Sequence, residues 1–149
     1  MRAAVQRVSH AKVTIDDRIT GKIGPGLLVY AAAAPDDGDD DVAYIANKVL
    51  GLRIFNDDAG KMNRCVCDVG GGVLVVSAFS LLADARKGRR PSFIGSAPGD
   101  VAEPLIDKLT AMIRAGGIPV ETGRFAAHMQ VESLNDGPIC ILLDSRRVV

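Results

Sequence analysis

The sequence predicts an α/β fold in a single domain spanning residues 1–149, with mixed β-sheets and two main helices. Three observations lead there. Many short apolar runs are bounded by Gly, Asp and Pro, as strands are. Only two segments carry apolar residues at helical spacing. Long stretches of consecutive strands stand beside those helices, which points to mixed sheets. A chain of 149 residues of which 48% are hydrophobic is long enough to bury roughly two-thirds of its unfolded surface.

The elements follow in order. "RAAVQRV" (2–8) and "KVTID" (12–16) read as strands, and Asp16-Asp17 turns the second into "RITGKI" (18–23), a hairpin. "GPG" (24–26) breaks the chain before "LLVYAAAA" (27–34), apolar on both faces and therefore a central strand. Val42, Ile45, Ala46, Val49 and Leu50 recur at helical spacing, with Asp39 or Asp40 as the expected cap and favourable charge at the helix start. "LRIF" (52–55) reads as a strand closed by the turn "NDDAGKMN" (56–63). "VLVVSAF" (73–79) is the most strand-like segment. Residues 84–99 form a long loop, a length usually tied to function. A second helix carries Leu105, Leu109, Met112 and Ile113 on one face. Pro104 is expected within its first turn, where a missing N–H does no harm, and "GG" (116–117) ends it. "IPVETGRF", "HMQVESL" and "ICILLD" read as three closing strands, with "NDGPIC" (135–140) as the turn between the last two.

Composition excludes several classes. With 18 basic and 18 acidic residues the chain has no global attraction for nucleic acid. The N-terminus has no long apolar core, and no apolar run is long enough to span a bilayer, so no signal peptide and no membrane association are expected and the cytoplasm is the default location. Three cysteines argue against a disulfide framework. Cys65-Val66-Cys67, with only His10 and His128 elsewhere, offers no recognisable metal spacing and reads as alternate residues of a strand. The segment "ARKGRRP" (85–91) holds four basic residues, Arg86, Lys87, Arg89 and Arg90. It reads as solvated surface or as a local phosphate-binding patch.

Two stretches can carry chemistry. "VLVVSAFSLLAD" delivers Ser77, Ala78, Phe79 and Ser80 to a strand end, where backbone N–H groups stop pairing and become available to a ligand. A serine nucleophile there needs a base within reach, and neither histidine has the spacing of a triad. Cys140 with His128 is an equally unsupported nucleophile pair. In "GPIC", proline makes a cis peptide accessible at about 0.5–1 kcal/mol above trans, and the preceding glycine admits unusual backbone angles. Together they can aim carbonyl oxygens in one fixed direction, and a plain hairpin turn is the alternative.

The phrases "MRAAVQRVSHAKVTID", "GKIGPGLLVY", "LGLRIFNDDAGKMN", "VLVVSAFSLLAD", "RRPSF" and "TGRFAAHMQVESLNDGPIC", in this order, resemble the D-aminoacyl-tRNA deacylase family over essentially the whole chain. The family's Ser-Gln-Phe-Thr-Leu motif appears as Ser77-Ala78-Phe79-Ser80-Leu81, and its Asn-x-Gly-Pro-Val-Thr motif as Asn135-Asp136-Gly137-Pro138-Ile139-Cys140. The resemblance implies a barrel-like core in β/β/α layers and a homodimer with its active site at the subunit interface. It implies hydrolysis of the ester joining a D-amino acid, or glycine mischarged on tRNA(Ala), to the terminal adenosine of tRNA. No cofactor and no metal are expected, because the residues offer no ligand cluster. Gly137-Pro138, as a cis peptide supported by Arg7, would reject L-amino acids by reaching into the partner's pocket. Backbone N–H groups around Ala78 and Phe79 would stabilise the oxyanion, with the 2′-hydroxyl of the ribose assisting. Phe79 and Met129 would line the adenosine pocket, and Arg86, Lys87, Arg89 and Arg90 would meet tRNA phosphates. Three departures from the motifs matter: Ala78 for Gln, Ser80 for Thr and Cys140 for Thr. They leave open a paralogue of altered selectivity or a non-catalytic tRNA-binding homologue.

Overall fold

A computed structural model describes residues 1–149. The organising element is β1 (Arg2–Ile15), a single strand where two were expected, since the pairing partners run on through residues 9–11. Along one edge it pairs antiparallel with β8 (Gln130–Asp144), from Arg2↔Asp144 to Thr14↔Gln130. Along the other edge it pairs first with β3 (Gly26–Ala32), through Arg2–Val8, and then with β2 (Arg18–Ile23), through Ala11–Ile15. The sheet continues by parallel pairing from β3 to β6 (Gly72–Ser77) and from β6 to β7 (Val120–Thr122). The strand order β2-β1-β3-β6-β7 nearly closes on itself, because β2 comes back against the far end of the sheet. At Gly21 an added Cβ would stand 2.5 Å from the Thr122 carbonyl oxygen, so this barrel-like closure needs glycine.

Both faces of the central strands β3 and β6 are dry. Leu27 and Leu28 are adjacent, point to opposite faces and are both fully buried. Leu28, Leu74 and Val76 join Val8, Val13 and Ile23 inside the barrel. Leu27, Val29, Val73 and Val75 face the two helices. These are α1 (Asp39–Gly51), burying Val42, Ile45, Ala46 and Val49, and α2 (Gly99–Arg114), burying Ala102, Ile106, Leu109 and Ile113. Each parallel pair of strands is linked through one of the helices, as parallel pairing requires, and the layers are β/β/α.

Several expectations are corrected. The N-cap of α1 is Gly38, whose N–H donates to Asp41 Oδ2 at 2.9 Å; Asp39 and Asp40 lie inside the first turn. Pro104 sits in the second turn of α2, because the helix starts at Gly99. The bond it forfeits would have gone to the Asp100 carbonyl, and both residues are solvent-exposed, so the loss falls on the outer face of the helix. Of "LRIF" only Phe55 is extended, in β4 (Phe55–Asn56), which pairs with β5 (Met62–Arg64) in a small separate ribbon. Of "IPVETGRF" only Val120–Thr122 is strand. Cys65 and Cys67 are not in a strand: they follow β5 in a turn closed by Cys65 N–H to Asp68 Oδ2 (2.8 Å) and Gly71 N–H to Val66 O (3.0 Å). No helix is long and apolar enough to cross a membrane.

Candidate active site

"NDGPIC" does not reverse the chain. Both flanks belong to β8 and both pair with β1: Asn135 stands opposite Val8, and Cys140 opposite Gln6. Residues 136–139 therefore bulge out opposite the single residue Arg7. Asn135 staples the bulge, its Nδ2 donating to Arg7 O (2.9 Å) and to Ile139 O (3.0 Å). Gly137 has φ +124°, and an added Cβ would lie 2.6 Å from the Ile139 side chain, so the position suits glycine. The Gly137-Pro138 peptide bond is cis.

Arg7 lies beneath the bulge, 9% exposed. Its Nη1 donates to Ile54 O at 2.6 Å. Its Nε stands 3.0 Å from Asp136 Oδ2, an ion pair in which the N–H is not aimed well enough at the oxygen to form a hydrogen bond. The separation makes Coulomb attraction real, and it is softened by the half-exposed carboxylate.

At the other end of the sheet β6 stops at Ser77, which pairs with Ala31. A one-turn 3-10 helix, Phe79–Leu82, follows, closed by Leu81 N–H to Ala78 O (3.0 Å) and Ala83 N–H to Ser80 O (3.1 Å). The Ala78 N–H already donates to Ala31 O at 2.9 Å. It extends the sheet and is not open to a ligand, which corrects the pairing of Ala78 with Phe79 as free donors. The open donors are those at the start of the turn, Phe79 and Ser80, which have no partner within it.

This strand end borders an open cavity of ≈ 530 Å³ with a mostly apolar lining. Ser77, Ala78, Phe79 and Met129 line it, whereas the Ser80 hydroxyl does not. Sequence reading missed Phe93, Phe125 and Ser96 there. The Phe93 ring packs edge-on to Phe79, with centroids 5.0 Å apart at 74°, and Ser96 Oγ donates to Phe79 O at 2.9 Å. Two aromatics in otherwise polar, glycine-rich loops were the available signal.

Side-chain chemistry is sparse. His10 is not in a loop but in β1, 3.9 Å from Glu132. Seven residues of β1 separate it from Ala3, the residue in line with Ala31 and Ser77, or about 23 Å along the strand. His128 precedes β8, and Cys140 pairs eight β1 residues away from the Thr14 that faces Gln130, about 26 Å along the strand. Neither histidine pairs with a nucleophile. Cys140 is exposed, and its one polar neighbour is Gln6 Nε2 at 3.9 Å.

In the basic loop Arg86 is clamped to Asp84, with bonds of 2.9 and 2.7 Å that hold the Asp84 carboxyl far below the usual carboxylate range. Asp84 also bridges to Ser92. Lys87, Arg89 and Arg90 are exposed and remain as the loop's uncompensated charges.

Comparison with known proteins agrees along the chain. Residues 4–144 match the family model described as D-Tyr-tRNA(Tyr) deacylase. Curated D-aminoacyl-tRNA deacylases from Anaeromyxobacter dehalogenans and Deinococcus radiodurans are 56% and 53% identical; the matches cover 99% and 97% of this chain and 99% of each relative. Among solved structures, one described as c-Myc DNA Unwinding Element Binding Protein superposes with TM-score 0.91 at 33% identity, covering 97% of this chain and 98% of that one. A probable eukaryotic D-amino acid tRNA deacylase shares the fold at TM-score 0.82 and 17% identity, covering 95% and 97%. The chain belongs to the D-aminoacyl-tRNA deacylase family of hydrolases.

Proposed function

We propose that this protein removes D-amino acids from tRNA, hydrolysing the ester to the terminal adenosine, and acts likewise on glycine mischarged on tRNA(Ala). The observation that carries the reading is the full-length family match with both motif segments in place, at Ser77–Leu81 and Asn135–Cys140. The site geometry supports a mechanism that uses main chain rather than a catalytic triad.

The apolar cavity suits the adenosine, whose base stacks on Phe79 and packs on Met129. The ester carbonyl faces the open N–H groups of Phe79 and Ser80, which stabilise the charge developing on its oxygen. The Ser96 bond to Phe79 O holds that turn in position. With no protein base in reach, the substrate's own 2′-hydroxyl assists the attacking water. Ala78 in place of glutamine removes an amide side chain but leaves the backbone path unchanged, because its N–H is held in the sheet.

Within one chain the bulge and the cavity do not meet. Arg7 lies four β1 residues from Ala3, the residue in line with Ser77, about 13 Å along the strand, and neither Gly137 nor Pro138 lines the cavity. A second copy supplies the missing part: the protein works as a homodimer in which Gly137-Pro138 of one protomer enters the cavity of the other. There the rigid main chain receives the substrate's α-amino group and leaves no space for an L-side chain. Exclusion by backbone works for any side chain, whereas a shaped pocket does not.

The test is deacylation of D-Tyr-tRNA, L-Tyr-tRNA and Gly-tRNA(Ala) by purified protein in the cytoplasmic pH range. Rapid loss of the D- and glycyl esters with the L-ester spared is expected. Equal rates on D and L overturn the gate, and tRNA binding without hydrolysis of any ester overturns the enzyme.

A further inference from the structure

A second groove of ≈ 530 Å³ is lined by Tyr44, Asn47, Lys48, Gly51, Leu52 and Arg53. It is built by the last turns of α1 and the segment leaving it. Tyr44 and Lys48 are one helical turn apart and so share a face. Lys48 Nζ stands 5.6 Å from the centre of the Tyr44 ring, and the Arg147 guanidinium stands 5.8 Å from the same ring. Lys48, Arg53 and Arg147 are all exposed, and none forms an ion pair within 4.0 Å, unlike Arg146, which is spent on Asp36 and Asp37. Arg53 Nη2 reaches only the neutral Asn63 Oδ1, at 3.5 Å, and Asp68, which feels its charge, accepts the Cys65 N–H. In a chain with zero net charge, two cations over one aromatic ring, with Arg53 in the same groove, make a local anion-binding surface.

Its position is as informative as its charge. Arg53 is followed by Ile54, whose carbonyl accepts the Arg7 Nη1 bond, and Arg7 in turn pairs with Asp136 of the bulge. The groove and the Gly137-Pro138 bulge are therefore neighbours fixed to one guanidinium.

We propose that this groove binds the sugar–phosphate backbone of tRNA next to its aminoacylated end, and that it serves the active site of the partner protomer. The proposal rests on the dimeric reading above. If the bulge of one protomer enters the other's cavity, the groove beside that bulge flanks the entrance, where the nucleotides before the terminal adenosine must leave. Lys48, Arg53 and Arg147 take phosphates, and Tyr44 with Asn47 receives an unpaired nucleotide by stacking and hydrogen bonding. An aromatic platform set among cations is the usual arrangement for single-stranded nucleic acid. Because Arg86 is neutralised by Asp84, the groove together with Arg147 beside it offers as many free cations as the 84–92 loop.

The experiment compares wild type with the triple variant Lys48→Gln, Arg53→Gln, Arg147→Gln on two substrates, D-Tyr-tRNA and D-tyrosyl-adenosine, with uncharged tRNA binding measured by filter retention across salt. The expected result is a KM for D-Tyr-tRNA raised at least tenfold with kcat within twofold, and unchanged hydrolysis of D-tyrosyl-adenosine. The slope of log binding constant against log salt should fall by about 2, near 0.7 for each lost contact to single-stranded phosphates. Unchanged KM and salt slope overturn the proposal, as does equal damage to both substrates. Loss of binding to anionic phospholipid vesicles with tRNA binding intact would also overturn it, reassigning the groove to a membrane surface. Should wild type hydrolyse neither ester, the enzymatic reading fails, while the tRNA-binding arm still decides the groove.

Discussion

Replacing Arg7 by methionine tests the link between the bulge and the body of the protein. Methionine keeps an unbranched apolar stem of similar reach, so packing along the stem is largely preserved. What disappears is the guanidinium. The Ile54 carbonyl loses a 2.6 Å charge-assisted bond, and Ile54 is only 8% exposed, so the oxygen is left short of a donor at about 1–3 kcal/mol. Asp136 loses its ion pair, but its side chain is 54% exposed, so that loss adds at most about 1 kcal/mol. The sum is about 1–4 kcal/mol, which at this chain length lowers the melting temperature by about 3–12 °C. Thermal melts followed by circular dichroism measure it, with Arg7→Lys as a second variant: one ammonium cannot reach both partners, so an intermediate shift is expected. At 25 °C, where Arg7→Met remains folded, D-Tyr-tRNA deacylation should fall more than tenfold because the bulge is no longer held. A melt within about 2 °C of wild type, with full activity, would refute this account of Arg7.

Three further outcomes are expected. Gly21→Ala places a methyl group 2.5 Å from the Thr122 carbonyl oxygen, backbone against backbone, and should cost more than 1 kcal/mol in urea unfolding, whereas Gly24→Ala, with nothing within 4 Å, should not. Cys140→Ala and His128→Ala should each retain at least half of the wild-type deacylation rate, since neither residue pairs with a base or nucleophile; a hundredfold loss in either would restore side-chain catalysis. Asp41 is held below the usual carboxylate range chiefly by the Ser145 hydroxyl bond, against opposing desolvation. A depressed folded pKa contributes stability that is present above the unfolded value near 3.9 and is lost as pH falls through the folded value. Melting temperature should therefore drop below about pH 4, and Asp41→Asn should make that acid limb shallower while lowering the plateau at neutral pH.

The elements legible in the sequence are those whose pattern is local. Both helices are read from apolar spacing, and β3 and β6 from runs in which adjacent residues such as Leu27 and Leu28 are both buried. What could not be read is set by a distant partner. Asn-Asp-Gly-Pro has the chemistry of a turn, and a bulge uses the same residues for the same reason. Only the register with β1, Val8↔Asn135 and then Gln6↔Cys140, distinguishes the two. Likewise "RAAVQRV" and "KVTID" fuse into one strand because β8 pairs across His10 and Ala11. At the site, the roles of the motif segments and of Arg7 rest on resemblance and not on any local pattern. Phe93 and Phe125 reach the cavity through loops whose course no local pattern specifies. That the Ala78 N–H is already taken by Ala31 depends on β3, more than forty residues upstream.

The three departures from the family motifs fall where a main-chain mechanism can bear them. Ala78 contributes a lining methyl group and an N–H that the sheet already uses. Ser80 is exposed, its hydroxyl does not line the cavity, and its N–H comes from the turn whatever the side chain. Cys140 closes the bulge through its pairing with Gln6, an interaction of backbones. The groups that position those backbones are retained and densely bonded: Asn135 across the bulge, Arg7 beneath it, Ser96 on Phe79. β1 then fixes the spacing, since its pairing with β3 sets the strand end and its pairing with β8 sets the bulge. A catalyst of the proposed main-chain design would tolerate drift in the side chains of its signature residues as long as that ladder is intact. It follows that Asn135→Ala, which cuts two bonds to main-chain oxygens, should harm deacylation more than restoring Thr at position 140 or Gln at position 78 improves it.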